Sequence, residues 1–197
     1  MKNFLYLLLF VTIFLTIPVI NAQEQKDNMT KEQKEAQKIW MEYMTPGWAH
    51  KILSNSVGDW KVKMTSWMDP SMGATQAEGN ASAEMVLGGR YVQMKFHGDF
   101  MGMPYEGFST DAYDNAKNVF INTWIDNMGT GLMYSEGKYD AATKTINYEG
   151  KMFNPVTKAD EKYRETVNFA DKDKIIMEMF NLKNNEEYKS LHVEYTR

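Results

Sequence analysis

Gly58-Asp59-Trp60-Lys61-Val62-Lys63-Met64-Thr65 is where the chain changes its period. Trp60, Val62 and Met64 alternate with Lys61, Lys63 and Thr65, and a period of two sends the two sets to opposite faces of a strand. The same alternation recurs over residues 83–87, 91–100, 105–113, 119–125, 132–139, 145–152, 162–169, 174–181 and 188–195, all rich in aromatic and β-branched side chains. Turn-forming clusters separate these runs: Gly88-Gly89, Asp114-Asn115, Asp126-Asn127-Met128-Gly129, Asp140-Ala141-Ala142-Thr143, Asn154-Pro155, Asp171-Lys172-Asp173 and Asn184-Asn185. About ten strands with connections this short form an up-and-down antiparallel meander, because parallel crossovers have no room. An open sheet of that width exposes two long edges. Closure into a single barrel removes them, and a two-sheet sandwich is the alternative arrangement.

Upstream of Gly58 the period is helical. Thr30 and Gln33 have the spacing of a capping box, and Ala36, Ile39, Trp40 and Tyr43 form one apolar stripe over residues 29–44. Thr45-Pro46-Gly47 ends that helix, since Pro46 pushes the residue before it out of helical conformation. A second short helix is expected over residues 48–55. Residues 23–57 thus read as a helical segment that packs as a lid or plug on a barrel end, and residues 58–197 as the barrel domain.

Residues 1–22 are of a different kind. Lys2 precedes an almost unbroken apolar run over residues 4–20, and Asn21-Ala22 supplies a small residue before a polar stretch. That order describes a secretory signal peptide and predicts an exported protein, periplasmic or secreted, with no stable membrane anchor after cleavage. An uncleaved anchor is the other reading of the same run. There is no cysteine among the 197 residues, which excludes disulfides, thiol catalysis and a lipidated N-terminal Cys. The net charge of −4 argues against nucleic acid and anionic membranes as partners.

Gly58 and Trp60 open the first strand and Arg197 follows the last. Closure makes those strands neighbours, so a guanidinium stacked on the indole would lock the barrel, with Gly58 leaving room for the backbone bend. His50-Lys51-Ile52-Leu53, Gly58-Asp59-Trp60, Val86-Leu87-Gly88-Gly89-Arg90-Tyr91, Gly107-Phe108 before Ala112-Tyr113-Asp114, Trp124-Ile125-Asp126 with Gly129, and Tyr195-Thr196-Arg197 follow one another in an order and spacing similar to a bacterial family, domain of unknown function 1579. The resemblance runs from His50 to Arg197, with Ala112 standing where the family's element carries glycine. It implies a calycin-like fold, the architecture of lipocalins and fatty-acid-binding proteins.

Candidate chemistry is sparse. His50, His97 and His192 lie far apart in sequence and in none of the spacings that put two ligands on one metal, so no metal site is assigned. His50 reads as a cap at the helix–barrel junction, and alternation with Val92, Met94 and Phe96 turns His97 to solvent. His192 on the last strand is the better candidate for a haem axial ligand, yet a polar surface histidine accounts for it as well, and no cofactor is implied. No G-x-S-x-G elbow, phosphate loop or dinucleotide fingerprint occurs. Glu161 and Glu165 share one strand face but stand about 13 Å apart at strand rise, too far to share a proton. An enzymatic reading requires at least two of His97, Asp99, Asp126, His192 and Glu194 to converge in the barrel mouth.

Methionine is abundant at 16 residues, and Met101/Met103 and Met177/Met179 each place two thioethers on one strand face. Soft Cu(I) sites use such groups, but no dense Met-x-x-Met cluster occurs, and methionine also lines adaptable apolar cavities. Together with 13% aromatic residues it predicts a lumen that holds one small apolar or amphipathic molecule, the alternative being a barrel filled by its own side chains. The expected lining is Met94, Phe96, Tyr113, Trp124, Tyr134, Tyr148 and Met177.

Overall fold

The structure, a computed structural model, describes residues 29–183 and 186–197. Residues 1–22, expected from the sequence to be a signal peptide, lie outside the described residues. The chain divides into two units after Glu42. The first holds nearly all of helix α1 (Lys31–Met44). The Thr30 hydroxyl accepts from the Gln33 N–H at 3.2 Å while the Gln33 side chain accepts from the Thr30 N–H at 2.8 Å, the reciprocal cap expected from the spacing. Among the described residues no helix is long and apolar enough to cross a membrane.

The second unit contains α2 (Trp48–Leu53), a 3-10 turn (Ser54–Ser56) and ten strands: β1 (Gly58–Ser66), β2 (Thr75–Val86), β3 (Tyr91–Phe100), β4 (Met103–Asp114), β5 (Val119–Asp126), β6 (Met133–Asp140), β7 (Thr145–Asn154), β8 (Ala159–Asp171), β9 (Lys174–Lys183) and β10 (Glu186–Thr196). Every strand pairs antiparallel with its sequence neighbours, and β1 pairs with β10 to close the barrel. The hairpins share one device: the side-chain oxygens of Asp114, Asp140 and Asn154 each accept from the backbone N–H two residues on, at 2.8 Å, which tightens the turn that follows.

Alternation decides the inner face. Trp60 and Val62 on β1, Val92, Met94 and Phe96 on β3, and Val193 on β10 are buried, while Lys61, Lys63 and His97 are exposed. The first half of β2 carries no strand signal in sequence, because Thr75-Gln76-Ala77-Glu78-Gly79-Asn80-Ala81-Ser82 is small and polar. The smallness is a packing requirement. The Phe96 ring of β3 lies over Gly79, so that a methyl there would come within 2.7 Å of it. Ala77 and Ala81, on the same face as Gly79, are buried beside it.

Helix α2 covers one end. Ala49 and Leu53 are buried, and the Trp48 indole meets Tyr113 and Phe120 edge-on at 5.6 and 6.0 Å between ring centres. His50 is 6% exposed, and its Nδ1 accepts from the Gly47 N–H at 3.0 Å, making it the cap of this helix. Burial, with Arg90 adding to it, lowers the His50 pKa and keeps the ring in the neutral form that can accept. At the same end the Arg197 guanidinium lies 4.0 Å over the Trp60 ring and donates to the Val57 carbonyl. Gly58 takes a φ of +123°, and a side chain there would press on that guanidinium at 3.4 Å.

Candidate functional site

Inside the barrel is a chamber of about 250 Å³. Its apolar wall is built mainly from methionine and aromatic side chains: Met64, Met94, Met133, Met152, Met177 and Met179 with Phe96, Tyr105, Trp124, Tyr148 and Tyr195. Leu53 and Ser56 close it at the α2 end. The Trp124 indole can lie flat against β4 because residue 107 is glycine, where a methyl would fall 2.0 Å from the ring. Its Nε1 donates to Asp126 Oδ2 at 2.8 Å, and the Tyr105 hydroxyl donates to the same oxygen at 3.2 Å, so one carboxylate fixes both rings. Burial first and Asp126 second push the Tyr105 phenol well above the ordinary tyrosine range, which keeps it a donor.

Deeper in, two carboxyl groups share the lumen. Asp111 of β4 accepts from Asn122 Nδ2 at 2.9 Å and from the Ser109 hydroxyl at 3.5 Å. Burial pushes it up to about 6 against the lowering effect of those two bonds. Glu165 of β8 is 6% exposed and makes no hydrogen bond among the described residues. Burial, and then the charge of Asp111, raise it to about 8. Both carboxyls act on the Tyr148 and Tyr195 phenols, which burial holds well above their ordinary range. Among the described residues the chamber wall contains three acids, Asp111, Asp126 and Glu165, and no Lys, Arg or His.

Of the residues expected to line a pocket, Met94, Phe96, Trp124, Tyr148 and Met177 stand in this wall. Tyr113 and Tyr134 do not. Tyr113 is on the inner face but is taken up at the α2 end, packed on Trp48, His50 and Phe120. Tyr134 is on the outer wall, since Met133 and Ser135 take the inner positions of β6, and its hydroxyl donates to Glu136 at 2.5 Å. Gly58, Trp60 and Arg197 meet as the closing element already described.

The groups required for an enzyme in the barrel mouth are dispersed. His97 is exposed on the outer face of β3, and Asp99 accepts from the Gly102 N–H in the β3–β4 turn. His192 and Glu194 do come together, at 3.2 Å, with Glu178 on the other side of the ring at 3.0 Å, but their strand neighbours Val193 and Tyr195 are the ones that face the chamber. The imidazole therefore belongs to an outer-wall charge cluster with Lys174 and Lys189 and cannot reach a ligand in the lumen. Among the described residues no three His, Cys, Asp or Glu side chains are grouped so as to hold a metal ion. Met101 and Met103 are exposed in a hairpin, whereas Met177 and Met179 line the chamber.

Sequence reasoning missed Asp111 and Glu165. The signal was present on β8, where Glu165 shares its face with Val167 and Phe169, but aromatic residues on both faces of several strands hid which face was interior.

The closed ten-stranded meander with a ligand-sized lumen defines a calycin-like barrel. The chain belongs to the family described as Protein of unknown function (DUF1579), whose model matches residues 45–197. No curated protein matches it in sequence. Among solved structures it is similar to Rv2717c from M. tuberculosis, with a TM-score of 0.58 and 12% identity, covering 78% of this chain and 99% of the other. It is also similar to the S-type phycobiliprotein lyase CPES from Guillardia theta, with a TM-score of 0.51 and 9% identity, covering 80% and 96%. At these identities the likeness is one of fold.

Proposed function

We propose that this protein is an exported binding protein that holds one small hydrophobic or amphipathic molecule in the barrel lumen. The observation that carries this reading is the chamber of about 250 Å³ walled by six methionines and several aromatic rings. Pockets for small organic ligands start at about 300 Å³, just above this volume, and are mostly apolar with a few placed polar groups. Methionine adapts its shape to the guest, while Asp126 holds the Trp124 and Tyr105 rings rigid, so the wall combines a plastic part with a fixed part. A solved barrel of the same shape bears the name of a lyase, so the fold by itself is neutral between binding and catalysis. Export is supported by the pattern of residues 1–22.

The test is a titration with an apolar fluorescent probe, on the wild type and on Val167→Trp, which fills the lumen from β8. Saturable binding at one site in the wild type and none in a folded Val167→Trp supports the reading; unsaturable or equal binding contradicts it. Export is tested by N-terminal sequencing of protein from the envelope or medium. A start at Gln23 supports it, and a start at Met1 contradicts it.

A further inference from the structure

Glu165 is a buried acid on the inner face of β8. It is 94% removed from solvent, lies in the chamber wall, and has no hydrogen-bond partner among the described residues. The β-ladder places it on β8, four strands round a ten-stranded barrel from Asp111 on β4, so the two carboxyls come from nearly opposite walls. The groups bound to Asp111 are the neutral Asn122 amide and Ser109 hydroxyl, and neither carries a compensating charge. A carboxyl buried without a partner avoids the cost of a bare charge by staying protonated, and among the described residues the chamber wall holds three acids and no base that could favour its ionised form.

Resting on the reading of the lumen as a ligand site, we propose that the bound molecule carries a protonated amine on an apolar body, its ammonium seated between the Glu165 and Asp111 carboxyls and its hydrocarbon part among the methionines and aromatic rings. An ammonium supplies three donors and no acceptor, the complement of two carboxyls with open lone pairs. The Trp124 and Tyr195 rings in the same wall favour a cation over an anion. A ligand carboxylate would add a like charge beside Asp111, and an alcohol would bring no charge to match a carboxylate.

Seating the ammonium also moves a proton. Near neutral pH the Glu165 carboxyl is mostly protonated and Asp111 mostly ionised, since they titrate near 8 and 6. The incoming cation favours the ionised form of Glu165, which gives its proton to solvent and stays as carboxylate against the ammonium. Binding of the amine therefore tightens as pH rises from 6 towards 8, by up to about tenfold per pH unit, while the amine itself stays charged.

The experiment is calorimetric titration of the full chain with n-hexylamine, n-hexanol and hexanoate at pH 7, in two buffers of different ionisation enthalpy. The proposal expects the amine to bind at least tenfold tighter than the other two, with release of up to about one proton. Glu165→Gln keeps the shape of the side chain and should weaken hexylamine about tenfold. It should also remove the proton release and leave hexanol unchanged. Asp111→Asn should weaken the amine in the same way and serves if the first variant misfolds. Hexanol or hexanoate binding as tightly as the amine overturns the cationic ligand and leaves the lumen reading standing. Equal loss of hexylamine and hexanol in both variants shows a purely structural role for the pair and overturns the proposal. Saturable binding of none of the three overturns the lumen reading as well.

Discussion

Asp111 and Glu165 bring two carboxyl groups into one chamber from facing walls, and the charge of Asp111 adds to burial in holding Glu165 in its protonated form up to a pH of about 8. The folded state therefore binds these protons more tightly than the unfolded chain does. A group with a raised folded pKa contributes its stability fully at pH values below its unfolded pKa and loses it as pH rises through the folded value. The contribution of the pair thus falls between about pH 4 and pH 8, at up to about 1.4 kcal/mol per pH unit for each group.

Glu165→Gln should flatten that fall and make the protein more stable than the wild type above pH 8, read as urea midpoints across the range. Exposed carboxyls such as Glu187, held low by its hydrogen bond to Arg164, act in the opposite sense at lower pH and are common to both proteins. The difference between variant and wild type therefore isolates residue 165. Equal slopes would show that the carboxyl is not desolvated.

Barrel closure rests on a few contacts at one end. Arg197→Ala removes the guanidinium stacked on Trp60 and its hydrogen bond to the Val57 carbonyl. The expected loss is about 1–3 kcal/mol by chemical denaturation. Arg197→Lys should recover only part of it, because an ammonium does not stack as a plane. A loss no larger than that of a surface substitution would mean that the ladder between β1 and β10 closes the barrel unaided.

Gly107→Ala places a methyl within 2.0 Å of the Trp124 ring. The ring must swing into the chamber, at about 1–3 kcal/mol for an overpacked interior. Its emission should shift and probe affinity should drop. Unchanged tryptophan emission and affinity would contradict the close approach of ring and strand.

His192→Ala removes an outer-wall group held between Glu178 and Glu194. Exposed ion pairs contribute about 0–1 kcal/mol, so stability should change by no more than that, and lumen binding should not change at all. A variant that lost probe binding would place the histidine in the ligand path.

Much of this fold was legible because alternation and turn chemistry agree along the chain. Trp60-Lys61-Val62-Lys63 states both the strand and its inner face, and Asp114, Asp140 and Asn154 mark the hairpins they then tie down. The start of β2 was illegible since its small residues serve the Phe96 ring of another strand, a requirement that no local pattern expresses. Five of the seven residues expected in the pocket stand in its wall, and Tyr134 does not because an aromatic residue on a strand can face either way. The paired carboxyls were hidden for a related reason. Glu165 was weighed against Glu161 on its own strand, whereas its partner, Asp111, comes from a strand that only closure brings opposite.

The most direct test of the lumen as a ligand site is native mass spectrometry of the protein recovered from its native host, alongside Val167→Trp prepared in the same way. The account predicts an added mass of a small organic molecule on the wild type, lost on denaturation and absent from the folded variant. A bare protein mass in both, with no saturable probe binding, would mean that the chamber is only a gap in a filled barrel and would contradict the account.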